Sequence, residues 1–255
     1  MNIVDVRGVR FNEGRPKVCI PLVGKTDQEI LDEVKFVSEL KCEVVEWRID
    51  HYEHVLNPEH LLLLAQKIQT IIKEKVLLVT FRSFKEGGVL DIEDQKYFEI
   101  YKNILENQAT DLIDIELFMP EKIVQDLVEI AKANNVKIIM CNHDFDKTVS
   151  KEVIIHRLKM MQDKGADICK IALMPNSKAD VITLLDATQE MYEKHATCPL
   201  ITMSMGGLGA ISRIAGEVFG SSMTFGVGRK ASAPGQIEAD ALVASLETIN
   251  QSLLG

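Results

Sequence analysis

One lysine, one histidine and three arginines stand apart from the other charged residues of this chain. Among the lysines, Lys170 alone falls inside an apolar run and near its C-terminal end, in Asp167-Ile-Cys-Lys-Ile-Ala-Leu173. An ammonium buried there loses hydration, and nearby cations act in the same direction. The expectation is a lowered pKa and a free amine able to attack a carbonyl. The alternative is an ammonium that snorkels or pairs with a carboxylate such as Glu116. His143 ends the apolar run before that one. An imidazole takes up and returns a proton near neutrality, and Glu86 is a candidate to hold its second ring nitrogen. A metal ligand and a hydrogen-bonded structural histidine are the alternatives, and His51 is a rival. His54, His60, His156 and His195 fall in helical or surface-loop patterns.

Arg48, Arg82 and Arg213 are three of eight arginines, and each lies at or just beyond the end of an apolar run. A guanidinium fork matches a carboxylate or phosphate, so their gathering at one face suits a small anionic substrate. The competing reading pairs each with a carboxylate of the protein. Glu46 and Arg48 share one face of a strand by the two-residue period. Gly206-Gly-Leu-Gly209 and Gly226-Val-Gly228 stand where many barrels hold phosphate, or they serve ordinary turns. The segment Lys230-Ala-Ser-Ala-Pro-Gly-Gln236 reads as a lid supplying Ser232 and Gln236, or as a plain connection.

These residues need a frame that brings distant positions to one face. Eight apolar runs rich in Val and Ile occur at 17–22, 43–48, 76–82, 112–116, 137–142, 166–172, 199–205 and 222–226. Each is followed by a stretch of helical period. Thr26 with Glu29 reads as a capping box, ahead of Ile30, Leu31, Val34, Val37 and Leu40 on one face. Asn57 and Pro58 read as N-cap and first helical residue. Ser177 with Asp180 starts another helix, with Val181, Leu184, Leu185 and Ala187 behind it. Ile237, Ala241, Val243, Ala244 and Ile249 are expected to form the buried face of the last one.

Runs such as 76–81 and 137–140 are almost continuously apolar, as parallel strands covered on both faces are. Eight βα units in about 240 residues match a (β/α)8 TIM barrel. An open doubly wound sheet should carry a glycine fingerprint after its first strand, and Val23-Gly-Lys25 is not one. Residues 3–11, within a leading segment 1–15, have strand–Gly8–strand character and are expected to form a β-hairpin cap. No linker divides the chain, so residues 1–255 read as one catalytic barrel. In such barrels the active site lies at the C-terminal ends of the strands, where the residues above converge.

Composition narrows the function further. The 255 residues are 46 % hydrophobic and 26 % charged, enough for a full core without staples. Disorder and small disulfide scaffolds are excluded. The net charge of −9 argues against binding nucleic acid or a membrane surface. Cys19, Cys42, Cys141, Cys169 and Cys198 are odd in number and form no CxxC pair, which fits reduced thiols in a cytoplasmic protein. Residues 1–11 lack the apolar core of a signal peptide, and no apolar run approaches the roughly 18 residues of a membrane span. No metal, nucleotide or prosthetic-group motif is present.

Seven segments in order carry a resemblance: Glu46-Trp-Arg-Ile-Asp-His51, Thr80-Phe-Arg-Ser83 with Glu86-Gly-Gly88, Asn142-His-Asp-Phe145, Lys170-Ile-Ala172, Thr202-Met-Ser-Met205, Ile211-Ser-Arg213 with Gly216-Glu-Val-Phe-Gly220, and Lys230-Ala-Ser-Ala-Pro-Gly-Gln-Ile237. Together they resemble the type I 3-dehydroquinate dehydratases. The resemblance implies a (β/α)8 barrel that converts 3-dehydroquinate to 3-dehydroshikimate and water in the shikimate route, with no cofactor, as a homodimer. It implies an imine on Lys170, acid–base work by His143, and Glu86 holding the histidine. It implies Arg213 on the substrate carboxylate. Glu46, Arg48, Arg82, Ser232 and Gln236 would hold hydroxyls and close the site, and Met203, Met205 and Phe225 would line it. One departure is Pro21, where several members carry a serine; a substrate contact there would be missing. An aldolase-type barrel using the same lysine, and a metal-dependent barrel using Glu46, Glu116 and His143, are the competing enzyme readings.

Overall fold

The computed structural model describes residues 2–255. A short antiparallel hairpin, β1 (Val4–Val6) and β2 (Val9–Phe11), precedes a curled parallel sheet. The sheet strands are β3 (Lys17–Leu22), β4 (Val44–Arg48), β5 (Val76–Thr80), β6 (Leu112–Glu116), β7 (Lys137–Asp144), β8 (Ile168–Leu173), β9 (Leu200–Ser204) and β10 (Met223–Val227). They run in the order β10-β3-β4-β5-β6-β7-β8-β9, and a two-residue β11 (Ile237–Glu238) adds beside β10. β9 meets the lead-in to β10 at the bridge Leu200↔Ser221, which brings the two edges of the curl together.

The helices cover the outside: α1 (Asp27–Ser38), α2 (Pro58–Ile72), α3 (Asp94–Glu106), α4 (Glu121–Ala133), α5 (Lys151–Asp163), α6 (Lys178–Lys194), the short pair α7 (Ala210–Ile214) and α8 (Gly216–Phe219), and α9 (Ala239–Leu254). Three start where the sequence says they should. The Thr26 hydroxyl accepts from the Glu29 amide, Asn57 accepts from Glu59 and His60, and Ser177 with Asp180 closes a full capping box. The last helix differs from expectation. Ile237 lies in β11, Ala241 and Ala244 face solvent, and the buried face is Ala239, Leu242, Val243 and Leu246. The short strand pairing captures Ile237 and delays the helix start.

Alternate residues of the strands point inward and outward. The outward ones and the helices form the larger core. Inside the barrel the lower half is apolar, with Cys19, Val44, Val76, Leu112, Ile139 and Ile168 meeting Val4, Val6 and Phe11 of the hairpin. The hairpin therefore plugs the N-terminal end of the barrel. The upper half of the same interior is charged, and there the strands deliver the site.

Candidate active site

A cleft of about 550 Å³ opens at the C-terminal ends of the strands. All twelve residues singled out above line it: Lys170, His143, Glu86, Glu46, Arg48, Arg82, Arg213, Ser232, Gln236, Met203, Met205 and Phe225. His51 does not; its Nε2 lies 3.8 Å from Asp50 at the edge of the mouth. Pro21 is buried in β3, level with Glu46, and is not part of the lining.

Lys170 comes from the middle of β8 and is 3 % exposed. Its Nζ donates to Asp114 Oδ2 at 2.9 Å and stands 4.7 Å from the centre of the Phe225 ring. This corrects the expectation of a free amine. Burial does press its pKa down, and Arg82 adds to that, but the Asp114 carboxylate outweighs both with help from Glu46. The resting form is an ammonium. Its partner is Asp114, one inward position below Glu116.

Asp114 is fully buried in β6 and also anchors Arg82, with Oδ1 2.7 Å from the guanidinium and 2.8 Å from the Cys141 sulfur. Burial alone would raise its pKa, yet Arg82 and Lys170 hold it far below the usual carboxylate range. Arg82 bonds Glu116 at 2.9 Å as well, and Glu116 accepts from Ser83. The Tyr101 hydroxyl ties this layer together, accepting from the Phe81 amide and donating to the Asp114 carbonyl.

His143 sits within β7, beyond the strand end read from the sequence. Glu86, on the turn after β5, accepts its backbone N–H and pairs with ring Nδ1, both at 2.9 Å. Asn142 donates to the other oxygen of Glu86 at 3.0 Å. Burial, with Arg82 and Lys170 nearby, keeps the imidazole pKa well below its ordinary value, so the ring is neutral. With Nδ1–H directed at Glu86, the Nε2 lone pair is available as a base. Burial and the neighbouring Glu116 push the Glu86 carboxyl up to about 7.

The three arginines divide. Arg48 forms a two-pronged bond to Asp50, at 2.8 Å on each oxygen. Arg82 is enclosed by Asp114, Glu116 and Glu86. Arg213 is different: it is 1 % exposed, pairs with no carboxylate among the described residues, and leaves its buried Nε without a partner. Burial alone pulls its pKa down to about 10. A buried cation without a counter-ion is costly, which suits this guanidinium to an anion.

One guanidinium nitrogen of Arg213 donates to the Pro234 carbonyl at 3.0 Å, and the Gly206 amide donates to the same oxygen at 3.1 Å. The loop carrying Ser232 and Gln236 is thus tied across the mouth, with those two side chains bonded to each other. Gly235 has φ +75°, and a Cβ there would lie 2.2 Å from the Gly206 carbonyl oxygen, so the crossing requires glycine. The Gly206 amide is committed to the loop and the Gly209 amide to Gly206, and Gly226 pairs with β11. These groups are spent within the fold, as in ordinary turns, and are not free to cradle a phosphate.

Among the described residues, one trio of potential metal donors converges: Glu86, Cys141 and His143, within 4.8 Å of one another. Arg82 already occupies it, donating to Cys141 Sγ at 3.0 Å and lying 3.7 Å from Glu86. Burial keeps the thiol protonated. Glu46, Glu116 and His143 do not converge; Glu46 bonds Thr80 instead.

The sequence reading missed four other lining residues: Gly87, Phe145, Ala172 and Ala233. Phe145 had a signal, since it follows His143 in the same short segment, and its ring stacks on the imidazole at 6.4 Å. Gly87, at φ +86°, leaves room for that ring.

The family model for type I 3-dehydroquinase matches residues 18–252. A 3-dehydroquinate dehydratase of Listeria monocytogenes is 49 % identical over 251 residues, covering 98 % of this chain and 99 % of the relative. One from Clostridium novyi is 47 % identical over 253 residues, covering 99 % and 100 %. The solved type I 3-dehydroquinate dehydratase of Clostridium difficile, determined with covalently modified comenic acid, superposes with a TM-score of 0.96 at 42 % identity, covering 98 % of this chain and 99 % of that one. Matched from the first sheet strand to the last helix, at this identity, the chain belongs to the type I 3-dehydroquinase family.

Proposed function

We propose that the chain dehydrates 3-dehydroquinate to 3-dehydroshikimate, in the shikimate route, through an imine on Lys170. The observation that carries this reading is one cleft holding three things: a buried lysine nitrogen, a neutral histidine oriented by a carboxylate, and one unpaired buried guanidinium. Arg213 takes the substrate carboxylate as the missing counter-ion. Lys170 adds to the ketone, and water leaves as the C=N bond forms. The iminium then draws electrons from the neighbouring C–H bond, and His143 Nε2 takes the proton. The same proton goes to the departing β-hydroxyl, which leaves as water. A second water hydrolyses the imine and frees Lys170. One histidine suffices, since it takes a proton and returns it.

Glu46, Arg48, Arg82, Ser232 and Gln236 hold the hydroxyls, and Met203, Met205 and Phe225 form the apolar wall. The covalent modification in the Clostridium difficile structure is in keeping with a nucleophile in such a cleft. On the same reading, residues 1–255 form one catalytic unit, assembled as a homodimer in the cytoplasm. No described helix is long and apolar enough to cross a membrane, and all five cysteines are free thiols.

The test is borohydride reduction in the presence of 3-dehydroquinate, followed by peptide mass spectrometry. A reduced adduct on Lys170, absent from a folded and inactive Lys170→Ala, is the expected result. Folded protein that turns over substrate without a trappable adduct on Lys170 overturns the imine.

A further inference from the structure

Asp114 is a charged group bonded to the reacting nitrogen, and the steps above give it no task. We infer that Asp114 is the standing counter-ion of the Lys170 nitrogen, pairing with the ammonium before substrate arrives and with the iminium after the imine forms. The inference rests on the imine chemistry proposed above.

The balance of that step explains why one carboxylate can serve both states. A ketone and an alkylammonium give an iminium and water. The C=O bond breaks, a C=N bond forms, and two N–H protons depart with the oxygen. The nitrogen carries one positive charge before and after, so its counter-ion need not change. Between these states the lysine must lend a proton to become nucleophilic. Asp114 is a poor acceptor, because Arg82 and Cys141 hold its other oxygen and Arg82 keeps it ionised. His143, neutral and in the same cleft, is the acceptor, and it returns the proton to the oxygen that leaves.

The geometry suits a fixed charge. Asp114 has no exposed surface, its side chain is short, and its backbone carbonyl is held by Tyr101 at 2.6 Å. The other groups acting on Lys170 are Arg82 from the end of β5, Glu46 from β4, Cys141 and His143 from β7, and the Phe225 ring from β10. Arg82 opposes positive charge on the nitrogen, and Glu46 supports it from further away. Asp114 is the only one within bonding distance of Nζ among the described residues.

The test compares wild type, Asp114→Asn and Asp114→Glu in two measurements. Without substrate, acetylation of Lys170 by acetic anhydride is followed against pH by peptide mass spectrometry. The midpoint should move to lower pH in Asp114→Asn, because burial and Arg82 are then opposed only by the more distant Glu46 and Cys141, and Asp114→Glu should fall between. With 3-dehydroquinate, kcat should fall about 100-fold in Asp114→Asn, the scale for losing one oriented charge partner, with KM moving less and partial recovery in Asp114→Glu. An unchanged acetylation midpoint and unchanged kcat in Asp114→Asn overturn the counter-ion. If Asp114→Asn does not fold, the midpoint and kcat of Asp114→Glu decide in its place. Failure to trap an adduct in wild type counts against the imine instead, and the substrate-free midpoint still reports the ion pair.

Discussion

The two ends of the barrel use carboxylates in opposite ways. At the lower rim, Glu43, Asp111 and Asp167 each stand just ahead of a strand and accept the backbone N–H of a residue in the strand before it: Val18, Leu77 and Ile138. Their cations, Arg15, Arg7 and Lys137, are partly exposed, between 22 % and 43 % at the side chain. Ion pairs of that kind contribute little. At the mouth, Asp50, Glu86, Asp114 and Glu116 hold Arg48, His143, Arg82 and Lys170, all nearly buried. Removing one partner there strands the other as an uncompensated buried charge. Identical side chains at the rim align strands, and at the mouth they fix the orientation and protonation of the groups proposed to react. Damage to the mouth should therefore appear in turnover, and damage below it in stability alone.

His143→Ala gives the largest separation. Loss of the proposed general acid–base costs about 10²- to 10⁴-fold in kcat, while the melting temperature falls little, because Glu86 keeps Asn142 and the residue-143 N–H as donors. The pH profile sharpens the point. The Glu86–His143 pair gains a proton as pH falls below about 7, the value to which burial and Glu116 push Glu86. That proton removes either the orienting charge or the Nε2 lone pair, so wild-type kcat/KM should fall tenfold per pH unit on the acid side. The apparent pKa belongs to the pair, not to either residue. In His143→Ala this limb should vanish. A limb that persists there would assign the titration to another group.

Phe11→Ala makes the opposite cut. The ring is fully buried where the hairpin plugs the barrel, and truncating it costs about 3–5 kcal/mol of stability. Denaturant unfolding should record that loss, with kcat per folded molecule unchanged. A fall in kcat at constant folded fraction would mean that the plug positions the mouth as well.

The same division explains what the sequence made legible. The strands announce themselves because both faces are covered, so Val and Ile runs survive intact, as in β5 and β7. Helix starts at Thr26, Asn57 and Ser177 are local events that need no tertiary information. Lys170, His143 and the three arginines drew attention because Lys, His and Arg at strand ends are anomalous wherever they occur, whereas Met203, Met205 and Phe225 entered only through the family resemblance. Their pairings were not found. Asp114 and Glu116 are two apart on one inward face, so alternation cannot choose between them as the partner of Lys170. Strand register sets Cys141 level with Glu116 and with Lys170, yet the amine reaches the carboxylate one position lower. With the partner unknown, burial alone predicts a lowered lysine pKa, and the ion pair reverses the sign. By residue type and position alone Arg213 was indistinguishable from Arg48 and Arg82, since an absent carboxylate has no sequence signature; only the family resemblance set it apart.

The smallest expected effect tests the lower rim itself. Asp111→Ala removes the acceptor of the Leu77 N–H, 2.8 Å away, and the partner of Arg7. The backbone bonds of residue 111, from its amide to the Leu77 carbonyl and to its own carbonyl from Lys137, remain. The Arg7 pair is partly solvated and contributes little. The cost is that of one largely buried amide left without an acceptor, about 1–3 kcal/mol. Water can reach the site, since the Asp111 side chain is 18 % exposed, which favours the lower end of that range. Chemical denaturation should show this loss while the pH limb near 7 and kcat stay as in wild type. Lost turnover in a folded Asp111→Ala would break the comparison, because rim carboxylates would then act on the mouth through the strands they align.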